Sequence, residues 1–239
     1  MIASTNDISE RIAQVRRRIA DAAAKANRDA NLITLVAISK TVQPKRILAA
    51  YEEGLTDFGE NRVQEAAVKI PELKSRGCTA RWHLVGHLQS NKALRAVNLF
   101  DVIESVDSVP LAERLNRIAR DAEKTIPVLL ELNLGGEEAK SGFEPTALSE
   151  SLPQLAALTH LAYRGLMIIP PFIEDPELIR PYFRRARAAL AEINHGNIFS
   201  TPLAELSMGM SYDFDVAIEE GATIVRVGTA IFGPRAKAN

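Results

Sequence analysis

The sequence contains one cysteine, Cys78. No intramolecular disulfide can form, and no cysteine-based metal cluster can be built. Neither sign of charge is in excess, because 29 Lys and Arg stand against 30 Asp and Glu. The two signs are interspersed, which leaves no footprint for nucleic acid and no basic face for a membrane. No apolar run approaches the roughly 18–20 residues of a membrane span. The opening stretch MIASTNDISERIAQVRRRIADAAAKA lacks the apolar core of a signal peptide. No repeat or low-complexity tract interrupts the chain. Together these absences point to a soluble cytoplasmic protein.

What is present is a hydrophobic content of 46% over 239 residues, enough for a sizeable core. No linker divides the chain, so one domain over residues 1–239 is expected. Ile8, Ile12, Val15 and Ile19 share a helical face, with arginines on the others. This predicts an amphipathic helix within residues 1–28, lying on the larger body and capped by Asp7 or Ser9.

From residue 32 a regular alternation begins. The β-branched run 32–39 reads as a strand buried on both faces. Residues 44–54 follow as a helix with proline at its start and glycine at its end. Further strands are read at 57–61, 81–86, 100–105, 126–134, 163–169, 203–209 and 222–228. Helices are read between them at 62–75, 90–97, 109–123, 145–158, 176–193 and 214–220. Pro71 is expected to break or kink one helix, and Pro181 to divide another. Strand–helix alternation predicts a parallel sheet. Eight such units within about 200–250 residues match a closed (β/α)8 barrel of the TIM type. A doubly wound open sheet is the alternative.

In such a barrel, chemistry sits where strands end and the following loops begin. Lys40 directly follows the first strand. Burial at a barrel mouth lowers an amine's pKa and makes it a Schiff-base nucleophile, whereas at a solvated strand end the same lysine snorkels to water. The last two strands end in Ser207-Met208-Gly209-Met210-Ser211 and Gly228-Thr229. Two small-residue turns after the final strands suit a phosphate, or are ordinary turns. Arg226 lies between Val225 and Val227 inside an apolar strand, and a buried arginine needs a partner. That partner is either a core carboxylate such as Glu205 or Glu131, or a ring nitrogen or anion.

Asn61 precedes a helix and reads most simply as its cap. His83 and His87 are four apart across a strand and its turn, which is not a helical metal pair, so no metal site is expected. Residues 136–142 read as a polar loop, in which Lys140 could place positive charge near a site.

Several segments in order resemble the pyridoxal phosphate homeostasis proteins, also called the proline-synthase co-transcribed family. They are VAISKT (36–41), FGENRVQE (58–65), WHLVGHLQSNK (82–92), KSG (140–142), RGLMIIP (164–170), LSMGMSYD (206–213) and VRVGTAIFG (225–233). The likeness spans residues 32–233. It implies an alanine-racemase-like barrel (fold type III among pyridoxal phosphate proteins). Lys40 would form the Schiff base with pyridoxal 5′-phosphate. Ser207, Gly209, Met210, Gly228 and Thr229 would surround the phosphate, and Arg226 would face the pyridine nitrogen. Asn61 and the strand around His83 would line the cofactor.

The resemblance also implies a protein that binds and delivers the cofactor to dependent apoenzymes without robust turnover. The racemases' additional β domain has no counterpart in the sequence, which argues against their chemistry and for a monomer. An amino-acid racemase using the same lysine is the alternative, and a cofactor-free Schiff-base aldolase is a third. Residues 171–197 and the first helix carry no transferable role.

Overall fold

The first strand, β1 (Thr34–Ile38), pairs in parallel with both its successor and the last strand, so the sheet closes on itself. The computed structural model describes residues 5–135 and 141–234. The other strands are β2 (Asp57–Glu60), β3 (Arg81–Leu84), β4 (Val102–Val106), β5 (Ile126–Leu132), β6 (Leu161–Ile168), β7 (Glu205–Ser207) and β8 (Ile224–Val227). The helices are α1 (Thr5–Lys25), α2 (Pro44–Glu52), α3 (Val63–Ser75), α4 (Ala93–Leu99), α5 (Val109–Asp121), α6 (Pro145–Ala156), α7 (Arg180–His195), α8 (Phe214–Glu219) and α9 (Thr229–Phe232). The strand order around the ring is the chain order, so the expected (β/α)8 barrel is the fold and the open sheet is excluded.

Side chains alternate between the two faces of each strand. On one face, Val36, Val102, Leu129, Met167 and Ile224 form a small apolar cluster inside the ring. Polar residues of the same parity share this interior: Glu104 with Val102, Glu131 with Leu129, and Arg226 with Ile224. The opposite face packs Ala37, Phe58, Trp82, Ile103, Leu130, Leu166 and Val225 into the larger core beneath the helices.

The outer layer keeps the expected helices with adjusted ends. Pro71 does not break α3, which runs continuously through it. The expected helix at 90–97 divides into a 3-10 turn, Ser90–Lys92, and α4. The helix at 176–193 does divide, at Ile179 just ahead of Pro181: a 3-10 turn, Pro176–Leu178, precedes α7, and the proline occupies the first turn of α7. That placement needs no proline N–H. α9 was not expected from the sequence.

α1 covers the outside of α2, α8 and α9. Its stripe of Ile8, Ile12, Val15 and Ile19 is buried as expected. Each such side chain contributes about 1.5–3 kcal/mol, against about 0.2–1 kcal/mol for a surface ion pair, so the apolar stripe anchors the helix. Asp7 and Ser9 lie inside α1 and do not cap it. Asp7 pairs with Arg11 at 2.6 Å, and Ser9 donates to Glu53 at 3.0 Å. On its polar side, Arg18 pairs with Asp215 and stands 4.1 Å from the centre of the Phe214 ring.

The approach of β6 to β7 depends on a missing side chain. A Cβ at Gly165 would fall 1.7 Å from the carbonyl oxygen of Glu205. Backbone is the obstacle, so no rotamer change relieves it. Gly165→Ala should lower unfolding free energy by about 3 kcal/mol or more in a denaturant titration. A loss within experimental error would mean that the two strands can separate without cost.

Candidate functional site

The strand ends of β1, β2, β6 and β8 open onto one cavity of about 320 Å³. Lys40 lines it, two residues past the end of β1. Closure of the ring sets Val36 of β1 beside Arg226 of β8, so Lys40 and Arg226 meet at one wall although 186 positions separate them in the numbering. Asn61, Met210, Gly228 and Thr229 also line the cavity. Ile38, Val85, Ile169 and Ile173 supply apolar wall, and the aromatic side chains of Phe172 and Tyr212 stand at the rim. Those two rings meet edge-on with centroids 6.0 Å apart.

Two expected phosphate residues stand behind this wall. Ser207 is fully buried, accepts from the Arg226 guanidinium at 2.6 Å and donates to the Glu104 carboxylate. Its hydroxyl is therefore committed inside the barrel. Gly209 has φ +91°, and a Cβ there would lie 2.6 Å from Cβ of Ala217. Glycine is required for the turn to pack against α8. The carbonyl of Gly209 also accepts the Arg226 backbone N–H at 3.0 Å, continuing the β7–β8 seam past the strand ends. Asn61 does not cap α3 either: the N-cap position is Arg62, with no side-chain cap bond.

Ser211 and Asp213 line the cavity and were not among the expected site residues. Ser211 Oγ accepts the N–H of Ala230 at 3.3 Å, tying the turn after β7 to the start of α9. The Asp213 carboxylate accepts the Met210 N–H. Burial raises the Asp213 pKa, and the Met210 bond and the Arg226 charge oppose it. The segment after β6 also carries a role that the sequence did not assign to it, because Phe172, Ile173 and Ile179 form wall. Lys140 lies outside the described residues. Its neighbour Ser141 donates to Glu131 at 3.0 Å.

Arg226 is buried, and its hydrogen-bond partners are not those expected. Besides Ser207 it donates to the carbonyl of Ile168 at 2.8 Å. Its foremost charge partner is Glu104, with Asp213 and Glu131 contributing, and Glu205 instead pairs with Arg164 at 3.3 Å. Burial lowers the Arg226 pKa and these carboxylates oppose it, but a guanidinium stays charged in proteins.

Behind Arg226 runs a chain of polar groups along the barrel axis. His83 Nδ1 is 2.7 Å from Glu104, and its Nε2 is 3.1 Å from Asp57, which also accepts from Arg81 at 2.6 Å. Burial alone would push the His83 pKa down. The bonds to Asp57 and Glu104 outweigh it and push the pKa up to about 9. His83 is thus an imidazolium at neutral pH. Burial would raise the Glu104 pKa, but His83 first and then Arg226 and Ser207 hold it below its usual value. His83 and Glu104 are polar residues on the inward parity of buried strands, a signal present in the sequence that pointed to no partner.

The family model for the alanine racemase N-terminal domain matches residues 11–236. A solved alanine racemase from Clostridium difficile, in complex with cycloserine, shares the fold at TM-score 0.68 but only 14% identity; the match covers 94% of this chain and 60% of that one. The chain is therefore a barrel of the alanine racemase N-terminal class. The pyridoxal phosphate homeostasis protein of Aquifex aeolicus is 43% identical over 226 residues, covering 95% of this chain and 97% of that protein. The Escherichia coli K12 protein of the same name is 39% identical over 232 residues, covering 96% and 97%. PipY of Synechococcus elongatus, solved with PLP bound, has TM-score 0.84 and 41% identity, covering 95% of this chain and all of that one (100%). This chain belongs to the pyridoxal phosphate homeostasis protein family.

The axial chain has a pH signature. The folded His83 pKa of about 9 stands above the ordinary 6.5. Its contribution to stability is therefore complete below pH 6.5 and is lost as pH rises through about 9. Denaturant titrations across that window should show unfolding free energy falling with pH, and the fall should flatten in His83→Gln. The same slope in both proteins would contradict the assignment.

Proposed function

We propose that this protein binds pyridoxal 5′-phosphate in the cavity beside Lys40 and holds it for delivery to dependent apoenzymes, without substantial turnover of its own. The convergence of Lys40 and Arg226 on one cavity carries this reading. The shared name of the relatives and the ligand bound by PipY support it.

The residues present fit that cofactor. Lys40 offers an amine to its aldehyde, Arg226 a fixed cation to its ring nitrogen, and the aliphatic wall of Ile38, Val85 and Ile169 a surface for the ring. Ser211, Gly228 and Thr229 bring hydroxyl and backbone N–H groups to the cavity, suited to the phosphate, while Met210, whose N–H is held by Asp213, and Asn61 line the same cavity. Ser207 and Gly209 serve the same site from behind, by holding Arg226 and shaping the turn. When bound, the cofactor supplies an aldehyde carbon that condenses with an amine, forming a C=N bond and releasing water.

The chain's own groups favour holding over turnover. Arg226 can donate to the ring nitrogen but has no proton to give up, so the ring stays a weaker electron sink than a protonated one. Its bonds to Ser207 and the Ile168 carbonyl fix the guanidinium in place. Tyr212, the tyrosine on the cavity wall, is 70% exposed and leans on Phe172 at the rim. An exposed ring leaning on the rim is poorly placed to serve as an acid–base partner opposite Lys40.

Purified protein mixed with pyridoxal phosphate should develop visible absorbance, and borohydride reduction should fix the adduct on Lys40. Attachment at another lysine, or none, would sink the reading. Thr229→Ala, at an exposed position on the cavity wall, should weaken cofactor retention about ten- to a hundredfold with the melting curve unchanged, as expected for loss of one hydrogen bond to a charged group. Long incubation of loaded protein with L-alanine or L-serine should yield no D-enantiomer above a cofactor-only control. Turnover that disappears in Lys40→Ala would replace the carrier with an enzyme.

A further inference from the structure

Lys69 is an unexpected cation. It sits in α3, well inside the fold, with a side chain only 9% exposed. Its ammonium has three donors, and three oxygens meet it: the Ser39 carbonyl at 2.7 Å, Glu60 Oε1 at 3.0 Å and Glu65 Oε1. The same two carboxylates bind the chain around Lys40. Glu60 Oε1 accepts from the Ser39 hydroxyl at 2.7 Å, and Glu65 Oε1 accepts the Thr41 N–H at 2.6 Å. The residues on either side of Lys40 are therefore tied to one buried ionic cluster.

The turn needs such ties. The Val42 N–H donates to the Ser39 carbonyl at 2.9 Å, which makes residues 39–42 a β-turn with Lys40 and Thr41 at its centre. Lys40 is not among the positive-φ residues, whereas Thr41 has φ +62°. That is the pattern of a type II turn, whose third position takes glycine. A β-branched threonine there is strained and does not hold the turn by its own preference.

We propose that Lys69, acting through Glu60 and Glu65, is the positioning residue of Lys40. It clamps the carbonyl before Lys40 and the N–H after it, and so directs the Lys40 side chain into the cavity. Glu60, at the end of β2, and Glu65, in the first turn of α3, complete the clamp. The functional consequence rests on Lys40 being the amine that receives the cofactor aldehyde; the clamp itself does not.

Two measurements test this. In the cofactor-free protein, amide hydrogen exchange at Thr41 should accelerate at least about tenfold in Lys69→Met while core amides keep their protection. With pyridoxal phosphate added, borohydride trapping at Lys40 should slow at least about tenfold in Lys69→Met, as a misplaced amine requires. The double variant Lys69→Met/Thr41→Gly should recover most of that rate, because glycine holds the turn unaided. A lysine that merely neutralises buried carboxylates would not be rescued by a change in turn residue. If Lys69→Met fails to fold, Glu65→Ala carries the same comparison, since Glu65 is partly exposed and Lys69 keeps Glu60. Unchanged exchange at Thr41, or slowed trapping that Thr41→Gly does not restore, would overturn the proposal. A wild-type protein that traps no cofactor at Lys40 would instead defeat the functional reading and leave the exchange result to judge the clamp.

Discussion

Closure of β1 against β8 is the constraint on which the site depends. Four registered residue pairs, from Thr34 with Ile224 to Ala37 with Val227, join the two ends of the barrel. Without that seam, Lys40 and Arg226 would belong to opposite edges of an open sheet. With it, an amine from the first loop and a guanidinium from the last strand share one cavity wall. The adjoining β7–β8 seam is short in regular pairing, and the Gly209 carbonyl extends it by accepting the Arg226 N–H. The residue that shapes the turn thus also helps to hold the last strand in register.

A barrel interior filled only with branched apolar residues would be simpler to desolvate. Here the interior is divided: one apolar cluster, and a polar chain from Arg81 through Asp57, His83, Glu104 and Ser207 to Arg226. Buried charges are costly unless each has partners, and removing one partner exposes the full penalty of the others. The chain alternates in sign, so each charge along it is met. Arg226 reaches the cavity already fixed by its neighbours and does not have to be ordered by a ligand.

The loop after β1 follows the same logic on a smaller scale. A strained threonine turn is held by a buried ammonium and two carboxylates, so both sides of the cavity wall are placed by ionic networks behind it. This suits the proposed holding of one small, doubly functional ligand. The rigid groups lie behind the cavity, and the exposed aromatic pair Phe172 and Tyr212 lies at its mouth.

The strand count, the parallel alternation and the helical stripe of α1 were legible because they rest on periodicity, which a sequence states directly. Lys40, Arg226 and the two terminal turns were legible for a related reason: polar or small residues at the ends of apolar runs stand out against their surroundings. Pairings across the barrel were not. Ser207 looked like a phosphate ligand because a serine in a turn has a free hydroxyl until a partner is placed beside it, and Glu104 lies 103 positions away in the chain. In the sequence, Lys69 and Glu65 are simply a base and an acid at i, i+4, a spacing common on exposed helix faces. Only packing of α3 against the loop after β1 turned them into a buried clamp. The sequence by itself determined which residues repeat, which are apolar and where the chain turns. The tertiary structure alone decided which charges meet, because burial and partner distance are properties of closure and not of spacing.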